Sequence, residues 1–157
     1  FIGHSLGEYT AACLSEVFTI EEGIKLVMER GRLIKSMPRG SMLAVNGSAD
    51  IMKHLLPESL SLAAINGPSH CTVSGPDEAI LLLEPQLTAM GLNNRRLVTS
   101  HAFHSPMMEG AIEPFRQACS TVAMKEPKIP YISNVTGDWI KSSDAMDPMY
   151  YAKHIRS

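Results

Sequence analysis

Apolar positions at helical spacing predict two helices in the first 40 residues of the chain. Residues 6–14 form a run of good helix formers after a glycine turn. Thr19 and Glu22 then have the spacing of a capping box, in which each side chain accepts a hydrogen bond from the other residue's backbone N–H. This box should begin a second helix, which Pro38 and Gly40 end. The apolar residues on or near one face of that helix are Ile20, Ile24, Val27, Leu33 and Ile34.

From residue 41 the pattern changes to short apolar runs separated by turn residues. We predict strands in SMLAVNG, LSLAAING, CTVSG and NNRRLVTSHAF, and helices in ADIMKHLL and PDEAILLLEPQLTAMG. Pro85 lies inside the second of these helices and should kink it or split it in two. The order β-α-β-β-α-β is that of a ferredoxin-like unit. We therefore predict an α/β fold in which a ferredoxin-like subdomain, residues 41–103, is inserted into a larger core that contains residues 1–40 and 104–157.

The last third of the chain returns to helices, with one strand between them. Ser105 should cap a helix that has Pro106 at its first position, and Pro114 should break or bend that helix. We predict a strand in KIPYISN, a turn in VTGD and the start of a helix in DPMYYAKHIRS. There is no initiator methionine, and the strand that leads into the first turn would begin before Phe1. We therefore expect an excerpt of a longer protein, truncated at both ends.

The composition narrows the range of partners. The 157 residues are 45% hydrophobic and carry a formal net charge of −2, with acids and bases interspersed. That balance gives no reason to expect nucleic acid or an anionic membrane as partner, and no apolar run approaches the ~18 residues of a membrane span. Cys13, Cys71 and Cys119 are odd in number and far apart, so we expect reduced thiols in a cytoplasmic protein.

Ser5 lies in a Gly-X-Ser-X-Gly pattern, between Gly3 and Gly7, where apolar residues give way to a helix. Two explanations are open. Glycines permit a tight turn in which Cβ atoms would clash. Alternatively, the turn is a nucleophile elbow, which holds a serine hydroxyl in the open at the positive end of the following helix. A catalytic serine also needs a base and a group that holds the substrate.

Histidine is the usual base for a serine nucleophile near neutral pH, and the chain has six. His101 and His104 share the segment SHAFHSPMM; they are either ordinary loop residues or one of them serves Ser5. No metal site is expected there, because Glu109 is the only further ligand type nearby. The other four should be solvated or directed away from the serine: His4, His54, His70 and His154.

Three arginines lie at the end of the second predicted helix. Arg39 fits a solvated basic helix end, which the helix dipole favours. Arg30 and Arg32 are two positions apart, about 200° around a helix, so one of them should point inward. An inward arginine needs a carboxylate, which it can bind with two parallel hydrogen bonds.

Five segments, in this order and spacing, resemble the acyltransferase domain of modular polyketide synthases: GHSLGEYTAA, ERGRL, AAINGPSHCTVSG, HAFHSPMM and YISNVTG. More distantly, they are similar to malonyl-CoA:acyl carrier protein transacylases of fatty acid synthesis. The resemblance covers nearly the whole chain. It implies an α/β-hydrolase-like core that carries a ferredoxin-like subdomain. One departure is Glu16, which stands where relatives have a glycine. Either Glu16 adopts a left-handed backbone there, at a cost of roughly 1 kcal/mol, or the turn has another shape.

The resemblance also implies the catalytic residues. Ser5 matches the nucleophile, His104 the general base and Arg30 the residue that binds the free carboxylate of the substrate. Leu6 contributes its backbone N–H to the oxyanion, and its side chain crowds the space beside the α-carbon.

The segment His101 to His104 carries the remaining implied residues. Phe103 should crowd the α-carbon together with Leu6, and His101 belongs to the same substrate-binding motif. In the family His-Ala-Phe-His marks malonyl specificity, whereas Tyr-Ala-Ser-His marks methylmalonyl specificity.

The activity implied is transfer of a malonyl unit from a coenzyme A thioester, through an acyl-serine, to the phosphopantetheine thiol of an acyl carrier protein. No tightly bound cofactor is implied, and a ketosynthase domain would be the neighbour in a full-length chain. Two other functions stay open. A proofreading hydrolase would pass the acyl group to water, although Arg30 argues against it. A non-catalytic scaffold would only bridge its neighbours.

Overall fold

The computed structural model describes residues 1–156, and Ser157, the last residue of the final predicted helix, lies outside the described residues. The chain divides into two units: Phe1–Ser36 with Gly110–Ile155, and Met37–Glu109 with Arg156. The helices are α1 (Gly7–Leu14), α2 (Ile20–Lys35), α3 (Ala49–Leu55), α4 (Asp77–Ala89), α5 (Ile112–Cys119), α6 (Ser142–Ala145) and α7 (Pro148–Arg156), with a 3-10 helix at Pro106–Ala111. The strands are β1 (Ser41–Val45), β2 (Ser61–Gly67), β3 (His70–Gly75) and β4 (Asn94–Arg96).

The second unit is built on a four-stranded antiparallel sheet with the spatial order β2-β3-β1-β4. Leu43 pairs with Val73 and Val45 with Cys71, so these four side chains share one buried face. Helices α3 and α4 cover that face. They bury Met52, Ile80, Leu83 and Leu87 in the same cluster.

Two elements of this unit differ from the sequence prediction. The last strand is three residues long. The Leu97 N–H still donates to the Met42 carbonyl of β1, but the Thr99 N–H then donates to the Leu97 carbonyl, so the regular pairing with β1 ends there. Helix α4 is not split at Pro85. Packing of Ile80, Leu83 and Leu87 against the sheet holds both halves in one helix.

The first unit contains α1, α2, α5, α6 and most of α7. Its buried side chains include several aromatic rings, among them Tyr9, Phe115 and Tyr151. Phe1 exchanges backbone hydrogen bonds with Pro130 and Ile132, which is the pattern of a parallel pair. The predicted strand KIPYISN is otherwise only a single antiparallel bridge between Ile132 and Trp139. Its pairing on each side is too short to form a strand.

Helix α2 begins at the predicted capping box, since Thr19 and Glu22 satisfy each other's backbone N–H groups. Its buried face matches the predicted one only in part, because Leu33 and Ile34 are buried but the predicted residues in the first two turns are not. Ile20 and Ile24 are exposed and, with Leu14 and Met28, line a groove of about 400 Å³ between α1 and α2. The residues of α2 that are buried are Gly23, Leu26, Arg30, Leu33 and Ile34. Packing therefore buries a face of α2 that is rotated from the predicted one toward Leu26 and Arg30.

The helix expected at Ser105 is a 3-10 turn that continues into α5. Pro114 lies at the third position of α5 and does not break it, because N–H groups in the first turn have no partner within the helix. Within residues 1–156 no helix is both long and apolar enough to cross a bilayer.

Candidate active site

Ser5 occupies the sharp turn between residue 1 and helix α1. Its φ is 48°, a left-handed backbone that few non-glycine residues adopt. The Gly7 N–H donates to the His4 carbonyl and the Glu8 N–H to the Ser5 carbonyl, each at 2.9 Å. The turn therefore leads directly into the first turn of α1, whose N-terminal amides carry partial positive charge.

Gly3 makes this turn possible, because a Cβ there would lie 2.7 Å from the Glu8 nitrogen and closer still to the Gly7 carbonyl. A Cβ on Gly7, in contrast, would meet nothing within 4 Å. We expect Gly3→Ala to destabilise the protein by about 3 kcal/mol, because backbone atoms cannot move aside as a flexible side chain can. Gly7→Ala, the matched control, should leave stability unchanged or slightly higher. Urea unfolding midpoints test this; equal midpoints for the two variants would show that the turn tolerates a Cβ.

Three non-glycine residues among those described have a positive φ: Ser5, Glu16 at 61° and His104 at 58°. Glu16 has a local explanation, since it ends α1 in a Schellman motif. The Val17 N–H donates to the Ala12 carbonyl and the Glu16 N–H to the Cys13 carbonyl. Of the two alternatives left open for Glu16, the structure has the left-handed cap. Ser5 and His104 have no such cap to account for them, and strained backbone of this kind clusters at functional sites.

His104 lies in a short segment that is fixed within the second unit. The Ser105 hydroxyl donates to the Ala102 carbonyl at 2.6 Å and accepts from the Met107 N–H at 3.2 Å. Ala102 is fully buried against Gly40, where an added Cβ would lie 2.9 Å from the Ala102 Cβ. The backbone on both sides of His104 is therefore held in place, while its side chain is half-buried.

The two other predicted residues of this segment pack on each other. The rings of His101 and Phe103 lie 6.3 Å apart between centroids. His101 is 7% exposed, with its Nδ1 2.8 Å from the Ser100 hydroxyl. Phe103 is half-buried. The structure thus gives His101 a role in packing against Phe103, for which the sequence offered no physical account.

Arg30 points inward, as predicted, and Arg32 outward. Arg30 is 7% exposed, and its guanidinium lies over the Tyr9 ring, 5.9 Å from the ring centroid. Its Nε has no hydrogen-bond partner, and no acidic side chain among the described residues pairs with it. Burial lowers the pKa of the guanidinium, an effect that Tyr9 partly offsets, but arginine stays charged in proteins. Among residues 1–156 the first unit therefore holds a buried cation without an anion, next to α1.

The sequence analysis did not predict the polar network that lies next to Ser5. Asn134 accepts from the Ser5 N–H at 2.6 Å and donates to the Gly3 carbonyl at 2.8 Å. The Asn134 N–H in turn donates to the buried Glu8 carboxylate at 2.7 Å, and the Tyr150 hydroxyl donates to the other oxygen of Glu8. The only signal in the sequence was the position of Asn134 within YISNVTG.

His154 belongs to the same network, so the prediction that it is solvated was wrong. It is 1% exposed, and its Nε2 lies 3.5 Å from Glu8. Helix α7 buries this face together with Tyr150, Tyr151 and Ile155. The charged neighbours Lys153 and Arg156 had suggested a surface position.

The predicted site residues fall in both units. The first unit contains Ser5, Leu6 and Arg30. Tyr9 connects Ser5 with Arg30, because it lies one turn of α1 after Ser5 and its ring packs against the Arg30 guanidinium. Leu6 is 44% exposed and lines the groove between α1 and α2. The remaining three lie in the second unit: His101, Phe103 and His104. Within residues 1–156 no three His, Cys, Asp or Glu side chains are grouped so that they could hold a metal ion.

A serine at a strained turn before a helix, with a buried arginine beside that helix, defines a candidate acyl-transfer site. The family model for the acyl transferase domain matches residues 1–157, and the chain belongs to this family. One relative is a type I polyketide synthase of phenolphthiocerol synthesis from Mycobacterium marinum. It is 36% identical over 157 residues, and the match covers 99% of this chain and 8% of that protein.

Solved structures agree with this assignment. The acyl transferase domain of SpnD, in complex with 2-(pent-4-yn-1-yl)malonyl, has a TM-score of 0.94 and 45% identity. The match covers 99% of this chain and 38% of that one. Malonyl CoA-acyl carrier protein transacylase from Burkholderia pseudomallei has a TM-score of 0.91 and 32% identity, over 99% of this chain and 55% of that one. The chain thus spans between about a third and three-fifths of these two structures, and less than a tenth of the curated relative.

Proposed function

We propose that this chain carries the nucleophile of an acyltransferase that moves malonyl from coenzyme A to an acyl carrier protein, with Ser5 as the residue acylated. The observation that carries the proposal is the left-handed backbone of Ser5 at the start of α1. This conformation presents a serine hydroxyl at the end of a helix where backbone N–H groups can stabilise an oxyanion. The N–H of Leu6, the residue after the nucleophile, is one such donor.

His104 is the proposed base in both halves of the reaction. It takes the proton of Ser5 as Oγ attacks the thioester carbonyl. The C–S bond then breaks, and His104 returns that proton to the coenzyme A thiolate. In the second half His104 takes the proton of the carrier's phosphopantetheine thiol, the sulfur attacks the serine ester, and the proton returns to Ser5.

The buried cation of Arg30 supports a substrate with a free carboxylate. A buried charge without a partner is costly, and a substrate carboxylate would pair with it. Two parallel hydrogen bonds from the guanidinium would also fix the orientation of the acyl group, and with it the position of the reacting carbonyl. Malonyl meets this requirement, whereas an uncharged acyl chain does not.

We assign the preference for malonyl over methylmalonyl to Leu6 and Phe103, with His101 packed behind Phe103. A side chain that fills the volume of one methyl group discriminates by only about 10- to 200-fold. The preference should therefore be clear but incomplete. The acyl carrier protein is the proposed macromolecular partner, and a ketosynthase the proposed neighbouring domain.

We also infer the architecture from the observed elements. The second unit has the β-α-β-β-α-β order and the antiparallel sheet that a ferredoxin-like subdomain requires. The first unit, with its elbow and its parallel pair at Phe1, fits an α/β-hydrolase-like core.

Incubation of the full natural chain that contains these residues with radiolabelled malonyl-CoA, without carrier protein, tests the proposal. A malonyl transferase should retain about one stable label per protein. Release of free malonate would indicate a hydrolase, and absence of both label and malonate a scaffold. Competing methylmalonyl-CoA should label at least about tenfold more slowly.

A further inference from the structure

The carboxamide of Asn134 bridges the two sides of the proposed nucleophile. Its oxygen accepts from the Ser5 N–H at 2.6 Å, and its nitrogen donates to the Gly3 carbonyl at 2.8 Å. Only one orientation of a carboxamide can serve both a donor and an acceptor in this way. Asn134 lies 129 residues from Ser5 in the sequence, so the bridge joins distant parts of the first unit.

Asn134 is itself held in place by further hydrogen bonds. Its backbone N–H donates to Glu8, whose carboxylate is 1% exposed and also accepts from Tyr150. The Tyr150 oxygen lies 2.7 Å from the Ser133 hydroxyl, next to Asn134 in the chain. Burial raises the pKa of Glu8, and the hydrogen bonds from Tyr150 and Asn134 oppose that rise. The network thus ties the bridging residue to α1 and α7.

A hydrogen-bonded bridge at this position stabilises the left-handed backbone of Ser5. A left-handed backbone costs a non-glycine residue roughly 1–2 kcal/mol, and such a conformation persists only where the surroundings determine it. The hydrogen bonds of Asn134 on both sides of Ser5 hold the Ser5 backbone in this conformation. Without them the Ser5 backbone could relax toward a commoner conformation and move Oγ away from its reactive position.

We infer that Asn134 is the positioning residue that holds Ser5 in its reactive backbone conformation, and that its carboxamide does so by bridging the Gly3 carbonyl and the Ser5 N–H. This inference rests on the proposed role of Ser5 as nucleophile. It assigns Asn134 no contact with the substrate. Its loss should therefore slow acylation and leave substrate affinity unchanged.

Asn134→Ala removes both hydrogen bonds. We expect the rate of Ser5 acylation, measured by rapid quench with labelled malonyl-CoA on the full natural chain, to fall roughly 100-fold, the effect of misplacing a reacting group by about 1 Å. The KM for malonyl-CoA should stay within about twofold, because the Arg30 site is untouched.

Asn134→Asp provides a test that does not depend on the alanine variant folding. A protonated carboxyl has one O–H donor and one carbonyl acceptor, the same pattern as the carboxamide, whereas a carboxylate only accepts. Next to the Gly3 carbonyl and Glu8, the introduced carboxyl should have a raised pKa. Its acylation rate relative to wild type should therefore rise about tenfold or more between pH 8 and pH 5.5.

Dividing the acylation rate of each variant by the wild-type rate at the same pH cancels the effect of groups that are present in both proteins. These groups include His104 and the residues that face Asn134, namely Glu8 from α1 and Tyr150 and His154 from α7. For Asn134→Ala the same ratio should not change with pH. A residue needed only for stability would lower the melting temperature without this pH-dependent rescue.

Acylation of Asn134→Ala at the wild-type rate would overturn the inference, and so would an Asn134→Asp ratio that does not change with pH. Ser5→Ala, run alongside, separates these outcomes from a failure of the proposed function. If Ser5→Ala still becomes labelled, Ser5 is not the nucleophile. If it does not and the Asn134 variants behave as wild type, only the positioning role is wrong.

Discussion

Replacing Ser5 by alanine should abolish covalent labelling by malonyl-CoA, because it removes the hydroxyl that forms the acyl-enzyme ester in the proposed mechanism. His104→Ala should keep the nucleophile but lose its base, and acylation should slow by about 10²- to 10⁴-fold. Both are measured as label per protein against time on the full natural chain.

Matched variants control these measurements. His54 is exposed on α3 and outside the proposed site, so His54→Ala should acylate at the wild-type rate. Label on Ser5→Ala protein, mapped to another residue, would contradict the assignment of the nucleophile. An unchanged rate in His104→Ala would contradict the assignment of the base.

Removing Arg30 should change which substrate is used rather than abolish the chemistry. Loss of one partner from a desolvated charge pair costs about 3–5 kcal/mol, so Arg30→Ala should lower kcat/KM for malonyl-CoA by roughly 100- to 1000-fold or more. Transfer of uncharged acetyl should be spared or increased, because acetyl has no carboxylate that needs a partner.

Arg32→Ala is the natural control. Arg32 is two residues away on the same helix but forms an exposed pair with Glu29, at 2.6 Å. Exposed pairs of this kind contribute little to stability. If Arg32→Ala shifted preference from malonyl to acetyl while Arg30→Ala did not, the carboxylate site would have been placed on the wrong arginine.

Features that depend on near neighbours in sequence were predictable. The capping box at Thr19 and Glu22 joins groups three residues apart. The left-handed cap at Glu16 follows from the end of α1 alone. Helix periodicity predicted that either Arg30 or Arg32 points inward, and the family resemblance selected Arg30.

Other features were decided by which surfaces meet. The predicted apolar face of α2 included Ile20 and Ile24, but packing leaves both exposed and buries Leu26 instead. His154 has charged neighbours, yet α7 buries it. The fourth strand ended early because the Thr99 N–H donates to the Leu97 carbonyl within its own segment and not to β1.

By itself, the sequence determined the α/β class, most helices and strands, the family resemblance and the identity of the candidate nucleophile, base and arginine. Each of these is carried by local patterns or by short motifs in a given order. Only the tertiary structure showed that Gly3 has no room for a Cβ, that Arg30 is buried without an anion, and that Asn134 bridges the turn around Ser5. Such contacts join residues far apart in the chain, and no local spacing encodes them.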